Sequence, residues 1–271
     1  TQQIPAYDIT GKGNDFMKSC VDNGEPFFLQ ISHYIAESES GASETAWNLA
    51  HEQVPGRPRA RTIAMAAAML DVDITLGLVL DAIEELGIKD NTYLIYSSDH
   101  GNPGENNAHL SGGKGSLNEG GVRVPMMIAG PSISGGTVVN TRAAAWDFAP
   151  TLAELSGIET LPNSYEGGSL VGALLGKSQS VQRKHDEFVL HFPHYERGNR
   201  GPETAIYEGD FKLVYNYESQ SSALFNLKAD RLEEFDIAAG NPKIVERMRQ
   251  NMIEFLSRTG AKLPTKNTNG G

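Results

Sequence analysis

The chain has 271 residues, with 34 acidic against 23 basic side chains, a formal net charge of −11 and one cysteine. The length is ample for one core, or for a main domain with a smaller appendage. The acidic balance argues against a nucleic-acid or anionic-membrane partner, since neutralising phosphates takes an excess of Lys and Arg; a single cysteine excludes an intrachain disulfide, and neither a signal peptide nor an apolar stretch long enough to span a bilayer is read.

Cys20 is followed by Val21-Asp22-Asn23-Gly24 and reads as an ordinary small side chain near a helix end. Residues 38–58, rich in Ser, Gly and Glu with His51, Pro55 and Pro58, are long and polar for a compact connection. Such a segment is a binding loop or lid, or equally a surface insert. From Pro58 to Gly87 apolar residues recur at Met65, Met69, Val72, Leu76, Val79, Leu80, Ile83 and Leu86, the spacing of a core-facing helix. Asp71 and Asp73 lie two apart and cannot share one helical face, so they read as solvent or loop contacts and not as a metal pair.

Thr92-Tyr93-Leu94-Ile95-Tyr96 is a short β-branched and aromatic run, read as a central strand of a parallel sheet. Ligands bind at the carboxyl ends of strands in open α/β sheets, where Asp99 and His100 fall. Asp99 offers hard oxygens and His100 a ring nitrogen to a cation; alternatively, Asp99 caps a turn and His100 is a satisfied loop histidine. In Gly112-Gly113-Lys114-Gly115 the glycines permit close backbone approach, and Lys114 supplies a compact positive charge suited to an oxyanion. Glu119 and Arg123 read as a structural ion pair or loop anchor. Val124–Pro131 reads as another apolar strand stopped by Gly-Pro.

After Leu175, Gly176-Lys177-Ser178-Gln179-Ser180 has linker composition. The remainder alternates as antiparallel strands do, at Phe188–Leu190, Ala205–Tyr207, Phe211–Tyr215 and Ala223–Phe225. A closing helix between Pro242 and Thr259 carries Val245, Met248, Met252 and Phe255 on one face. His191-Phe192-Pro193-His194-Tyr195 offers two imidazoles and a phenol around a rigid proline. The open choice is between substrate contact and a strand in which His191 is buried and His194 exposed.

The succession Ser98-Asp99-His100-Gly101, Gly113-Lys114-Gly115, Glu119-Gly120-Gly121-Val122-Arg123-Val124-Pro125 and Gly130-Pro131 resembles the sulfatases of the alkaline-phosphatase-like superfamily. The resemblance extends to Pro26–Tyr34 as a buried strand leading into an active-site loop. It also covers Asp147-Phe148-Ala149-Pro150-Thr151 in a helix, and Gly209–Val214 with Leu224–Asp230 as strands of a C-terminal subdomain. It implies an α/β fold: part of an alkaline-phosphatase-like α/β/α sandwich over residues 1–175, with a small antiparallel subdomain over 176–271. Asp99 and His100 then stand among the ligands of a calcium ion, and Lys114 contacts the sulfate and balances charge at the ester oxygen. His191 and His194 stand where the C-terminal subdomain closes the substrate pocket.

The chain also departs from the pattern. The Cys/Ser-x-Pro-x-Arg motif that matures into the formylglycine nucleophile is absent, as is the first pair of metal acids. The sequence therefore looks like the C-terminal part of a sulfatase whose N-terminal segment is the missing partner. Glu37 occupies the place of a sulfate-contacting histidine, where its charge repels the anion unless burial or a neighbouring anion keeps it protonated; a shifted loop would recruit His33 or His51 instead. The implied activity is metal-dependent hydrolysis of a sulfated small molecule or glycan outside the cytoplasm, with the isolated chain inactive. A phosphodiesterase or phosphonate hydrolase of the same superfamily and a catalytically inactive binding module are the alternatives.

Overall fold

The computed structural model describes residues 5–33, 41–56, 58–102, 107, 109–158, 160–195 and 201–265. They form two compact units, Thr1–Tyr93 and Leu94–Gly271.

The first unit is helical. Helix α1 (Pro5–Asn23) and helix α2 (Glu44–Gln53) each pack on the long helix α3 (Ala60–Glu85). The α3 helix follows its predicted span, with Gly87 adopting φ 68° just beyond it. Its buried face differs from the predicted stripe: Ile63, Ala64, Ala67, Ala68, Asp71, Val72, Thr75, Val79 and Ile83 are buried, whereas Met69 and Leu80 are exposed. Small residues go inside because two helices approach there, Ala46 and Ala50 of α2 meeting Ile63 and Ala67 directly. Contrary to the sequence reading, α3 is long and apolar enough by length and composition to cross a membrane.

Helix α2 lies in the stretch read as a loop. Ser43 caps it, its hydroxyl accepting from the Ala46 amide at 3.0 Å. The same Ser43 donates its amide to Asp71 Oδ2 and its hydroxyl to Asp71 Oδ1, both at 2.6 Å, and the Tyr7 hydroxyl donates to Oδ1 at 3.0 Å. Asp71 is thus no solvent contact. It is a buried carboxylate joining α1, the α2 cap and α3. The segment expected as a buried strand forms no ladder among the described residues. Phe27, Leu29 and Ile31 instead lie half-buried against Met17, Val79 and Ile83, and Phe28 points out. Gly13 admits this path, because a Cβ there would stand 2.8 Å from Ile31 Cδ1.

In the second unit, strand β1 (Leu94–Ser97) runs on from the first unit, and the one-turn helix α4 (Glu119–Val122) precedes strand β2 (Met126–Ala129). The two strands pair antiparallel, Leu94 opposite Ala129 and Ser97 opposite Met126, so the parallel neighbours expected for β1 are not found among the described residues. Helices α5 (Phe148–Leu155) and α6 (Val171–Leu174) follow. Their junction rests on fully buried Asp147, which accepts from Arg183 Nε at 2.9 Å, Arg183 Nη2 at 2.7 Å and the Gly168 amide at 3.0 Å.

The predicted C-terminal meander is present as β3 (Phe188–Phe192), β4 (Glu203–Glu208), β5 (Phe211–Asn216) and β6 (Ser221–Asn226), paired antiparallel in that order. Alternation gives the sheet two faces. Ile206, Leu213 and Leu224 pack on Met248, Met252 and Leu256 of helix α7 (Pro242–Arg258). Phe188, Ala205, Tyr207, Val214 and Phe225 face the other way and bury Leu117, with Val122 packed beside them. The predicted helix and its Met248–Met252 face are both found.

Asp71 accepts only from donors, so Asp71→Asn would turn an amide NH₂ against one of them. A loss of about 2 to 3 kcal/mol is expected, against about 1 for Tyr7→Phe, read from urea unfolding. Equal stability of Asp71→Asn and the parent would show that the carboxylate is not the junction of the three helices.

Candidate active site

Strand β1 delivers Asp99 and His100 into the turn Ser98–Gly101, where the Ser98 hydroxyl donates to the His100 carbonyl at 2.9 Å and the His100 amide donates to Asp99 Oδ1 at 3.0 Å. His100 Nδ1 lies 2.8 Å from the Gly101 carbonyl, which only accepts, so Nδ1 carries a proton. The other ring nitrogen, Nε2, stands 3.3 Å from Asp99 Oδ2. A carboxylate oxygen and a ring nitrogen brought together in this way, the other nitrogen pinned by a backbone carbonyl, are the donor types a cation could use. Among the described residues no third His, Cys, Asp or Glu joins them in a group able to hold an ion.

Beyond Asn102 the chain folds back on itself. The Gly101 amide donates to the Gly121 carbonyl at 2.9 Å, the Lys114 amide to the Asn102 carbonyl at 3.3 Å and the Gly120 amide to the Ser111 carbonyl at 2.7 Å. Asn107 buttresses the turn, accepting from the Asn102 amide at 2.7 Å and donating to the Gly112 carbonyl at 3.0 Å. A Cβ on Gly101 would fall 1.7 Å from the Gly120 carbonyl oxygen, and one on Gly121 would fall 2.2 Å from that of Ser116, so these positions admit only glycine. The result brings the Lys114 backbone beside the residue two beyond His100 and leaves the Lys114 side chain exposed.

Behind this loop is a buried charge cluster. Lys212 of β5, fully buried, places its ammonium 3.0 Å from Glu119 Oε1 and 2.7 Å from Glu233 Oε1. The Tyr207 hydroxyl donates to Glu119 Oε1 at 3.0 Å, and Arg123 lies 3.5 Å from Oε2. Glu233 Oε2 accepts from the Glu119 amide at 2.7 Å and the Asn118 side chain at 3.1 Å. Burial by itself raises the Glu119 carboxyl, but the charge and hydrogen bond of Lys212, aided by Tyr207 and Arg123, outweigh it and hold the group below its usual range. Burial and the Glu119 charge push the Tyr207 phenol well up, so it stays a donor. The loop-anchor reading of Glu119 is therefore right in kind, with Lys212 and not Arg123 as the close partner. Sequence reasoning passed over Lys212 and Glu233. The available signal was one lysine at an inward position of the apolar run Phe211-Lys212-Leu213-Val214.

The two histidines of β3 and its exit part company. His191 lies on the α7 face, where Nδ1 is 2.7 Å from Thr204 Oγ1 and Nε2 is 2.9 Å from the Lys262 carbonyl. His194 is exposed and meets Phe192 edge-on, and Phe192 packs on the face that holds Leu117. Glu37 lies outside the described residues. His33 Nε2 is 2.9 Å from Thr10 Oγ1, and burial pushes its pKa down; His51 is exposed on α2, edge-on to Trp47.

A fold in which a strand-end Asp-His pair meets a glycine-rich lysine loop, backed by an antiparallel meander and helix, is that of the sulfatases. The sulfatase family model matches residues 15–158, and the model for the C-terminal region of N-sulphoglucosamine sulphohydrolase matches residues 113–259. The chain belongs to the sulfatase family. A sulfatase of Formosa agariphila is 35% identical over 206 residues, covering 68% of this chain and 37% of the relative. The extracellular sulfatase SULF-1 homolog of Drosophila melanogaster is 34% identical over 168 residues, covering 60% of this chain and 14% of the relative. The crystal structure of Ps i-CgsB in complex with k-i-k-neocarrahexaose superimposes with a TM-score of 0.79 at 24% identity, over 98% of this chain and 58% of that one. The chain thus spans less than two thirds of the length of each of these proteins.

The lowered Glu119 pKa fixes a sign. Its contribution to stability is fully present above its ordinary value of 4.5 and is lost as pH falls through the folded value. The stability difference between the parent and Glu119→Gln should therefore be about 3 kcal/mol at pH 7 and shrink below pH 4.5, measured by urea unfolding at stepped pH. A difference independent of pH would mean that Glu119 does not bear the charge.

Proposed function

We propose that this chain is the part of a metal-dependent sulfatase that holds the sulfate group, and that a polypeptide segment outside this sequence supplies the formylglycine nucleophile. The observation that carries the reading is the loop closure that seats Lys114 against the segment leaving His100. Lys114, exposed and compact, would neutralise the sulfuryl oxygens and the charge that develops on the ester oxygen as the S–O bond breaks. Asp99 Oδ2 and His100 Nε2 would hold one side of a calcium ion, with the remaining ligands coming from the further segment. A cation bound there supplies Lewis-acid polarisation of a sulfate oxygen.

The substrate class is a sulfated carbohydrate or aryl sulfate, supported by the sulfatase relatives and by the oligosaccharide in the Ps i-CgsB structure. Of the two histidines, exposed His194 would touch the alcohol portion, since both ring nitrogens of His191 are engaged by Thr204 and Lys262. Glu37 stands where a sulfate-contacting histidine is expected, so Glu37→His in a completed enzyme should raise kcat/KM for a sulfate ester. An extracytoplasmic location is in keeping with the extracellular relative.

Two measurements on the purified chain test this. Aryl-sulfate turnover should be absent, and turnover abolished by Lys114→Ala would require another nucleophile within the chain. Calorimetric titration with calcium and then sulfate should show calcium weakened about tenfold by Asp99→Ala, and sulfate weakened about tenfold, or about 1.4 kcal/mol, by Lys114→Ala. Sulfate binding indifferent to Lys114 would sink the assignment; two metal equivalents with phosphate preferred over sulfate would move the activity to phosphoester chemistry.

A further inference from the structure

The buried ammonium of Lys212 reaches both limbs of the candidate site through few bonds. Glu233, its 2.7 Å partner, holds the Asn118 side chain and the Glu119 amide. Asn118 Oδ1 accepts from the Ser116 hydroxyl at 3.0 Å, and the Asn118 carbonyl accepts from the Gly121 amide at 2.9 Å. Gly121 in turn accepts from Gly101, next to His100, and Ser116 donates its amide to Gly113, next to Lys114, at 3.0 Å. Glu233 is held with φ 56°, a left-handed backbone that a side-chain-bearing residue rarely adopts, so the fold accepts strain to aim this carboxylate.

Among the described residues the loop's buried apolar anchor is Leu117, with Val122 packed beside it, whereas β4, β5 and β6 are also clamped from behind by Met248, Met252 and Leu256. If the lysine is neutralised, two carboxylates are left without their shared cation, and the cheaper response is for the loop to open and hydrate them. We propose that Lys212 is a positioning residue: acting through Glu119 and Glu233, it sets the spacing of Lys114 from the Asp99–His100 turn. That places control of the anion site in the C-terminal sheet, and it rests on the reading of the Lys114 loop as the sulfate contact.

The test compares amide hydrogen exchange in the full chain, using the loop amides of Gly101, Lys114 and Gly120 against those of α7, alongside titration with inorganic sulfate. Lys212→Met should speed loop exchange at least tenfold relative to α7 and weaken sulfate at least fivefold. Removing one of the stranded charges in Lys212→Met/Glu233→Gln should restore part of the protection. Loop and α7 amides accelerating together, or neither changing, would overturn the proposal. Should Lys212→Met fail to fold, Tyr207→Phe keeps the ring and deletes one donor to Glu119; loop exchange about threefold faster with α7 unchanged supports the positioning role, and unchanged loop exchange overturns it. A parent chain that does not bind sulfate would remove the functional reading of the loop, while the exchange contrast still decides the positioning.

Discussion

The second unit depends on one buried cation held by two carboxylates. At 3.0 and 2.7 Å the attractions of Lys212 to Glu119 and Glu233 are each roughly 5 to 6 kcal/mol at an effective dielectric near 20, set against a desolvation cost of several kcal/mol per ion. The Tyr207 hydroxyl donates further to Glu119 Oε1, and the Asn118 side chain and the Glu119 amide donate to Glu233 Oε2. Such a cluster adds less to net stability than to specificity of arrangement. The partners come from β4, β5, α4 and the Glu233 turn, so the loop has one seat on the sheet.

The geometry of the candidate site follows from that seat. Its side chains lie on turns, whose backbone must be held by something other than a regular ladder. Glycines at 101, 120 and 121 let the two limbs touch main chain to main chain, and the buried cluster keeps them touching. The Lys114 side chain stays exposed while its amide is held by the Asn102 carbonyl. The His100 ring is held by its own neighbour, Gly101, with Nε2 3.3 Å from Asp99 Oδ2.

The helical unit applies the same logic with the opposite sign. Asp71 is a buried anion met by three donors, and it connects helices whose apolar contacts are largely alanine. Close alanine packing lets backbones approach but buries little area per residue, so a directional polar junction is needed to select one arrangement.

The sequence by itself determined the family, the ordered loop motifs, the α3 span, the four-strand meander and α7, because each is written in local periodicity or in residues close along the chain. Tertiary structure alone decided which face of α3 is buried, since alanines and an aspartate go inside only when neighbouring helices come close enough to use them. It also decided that residues 44–53 form a helix, through a cap completed by Asp71, and that β1 pairs antiparallel with β2. His191 and His194 look alike in sequence, but strand alternation puts His191 on the α7 side of β3 against Thr204, whereas His194 lies exposed beyond the strand's end against Phe192. Lys212 was the least legible of all: its partners lie 93 residues before it and 21 after it, and a charge in a strand reads as a solvent-facing residue until the fold shows what encloses it.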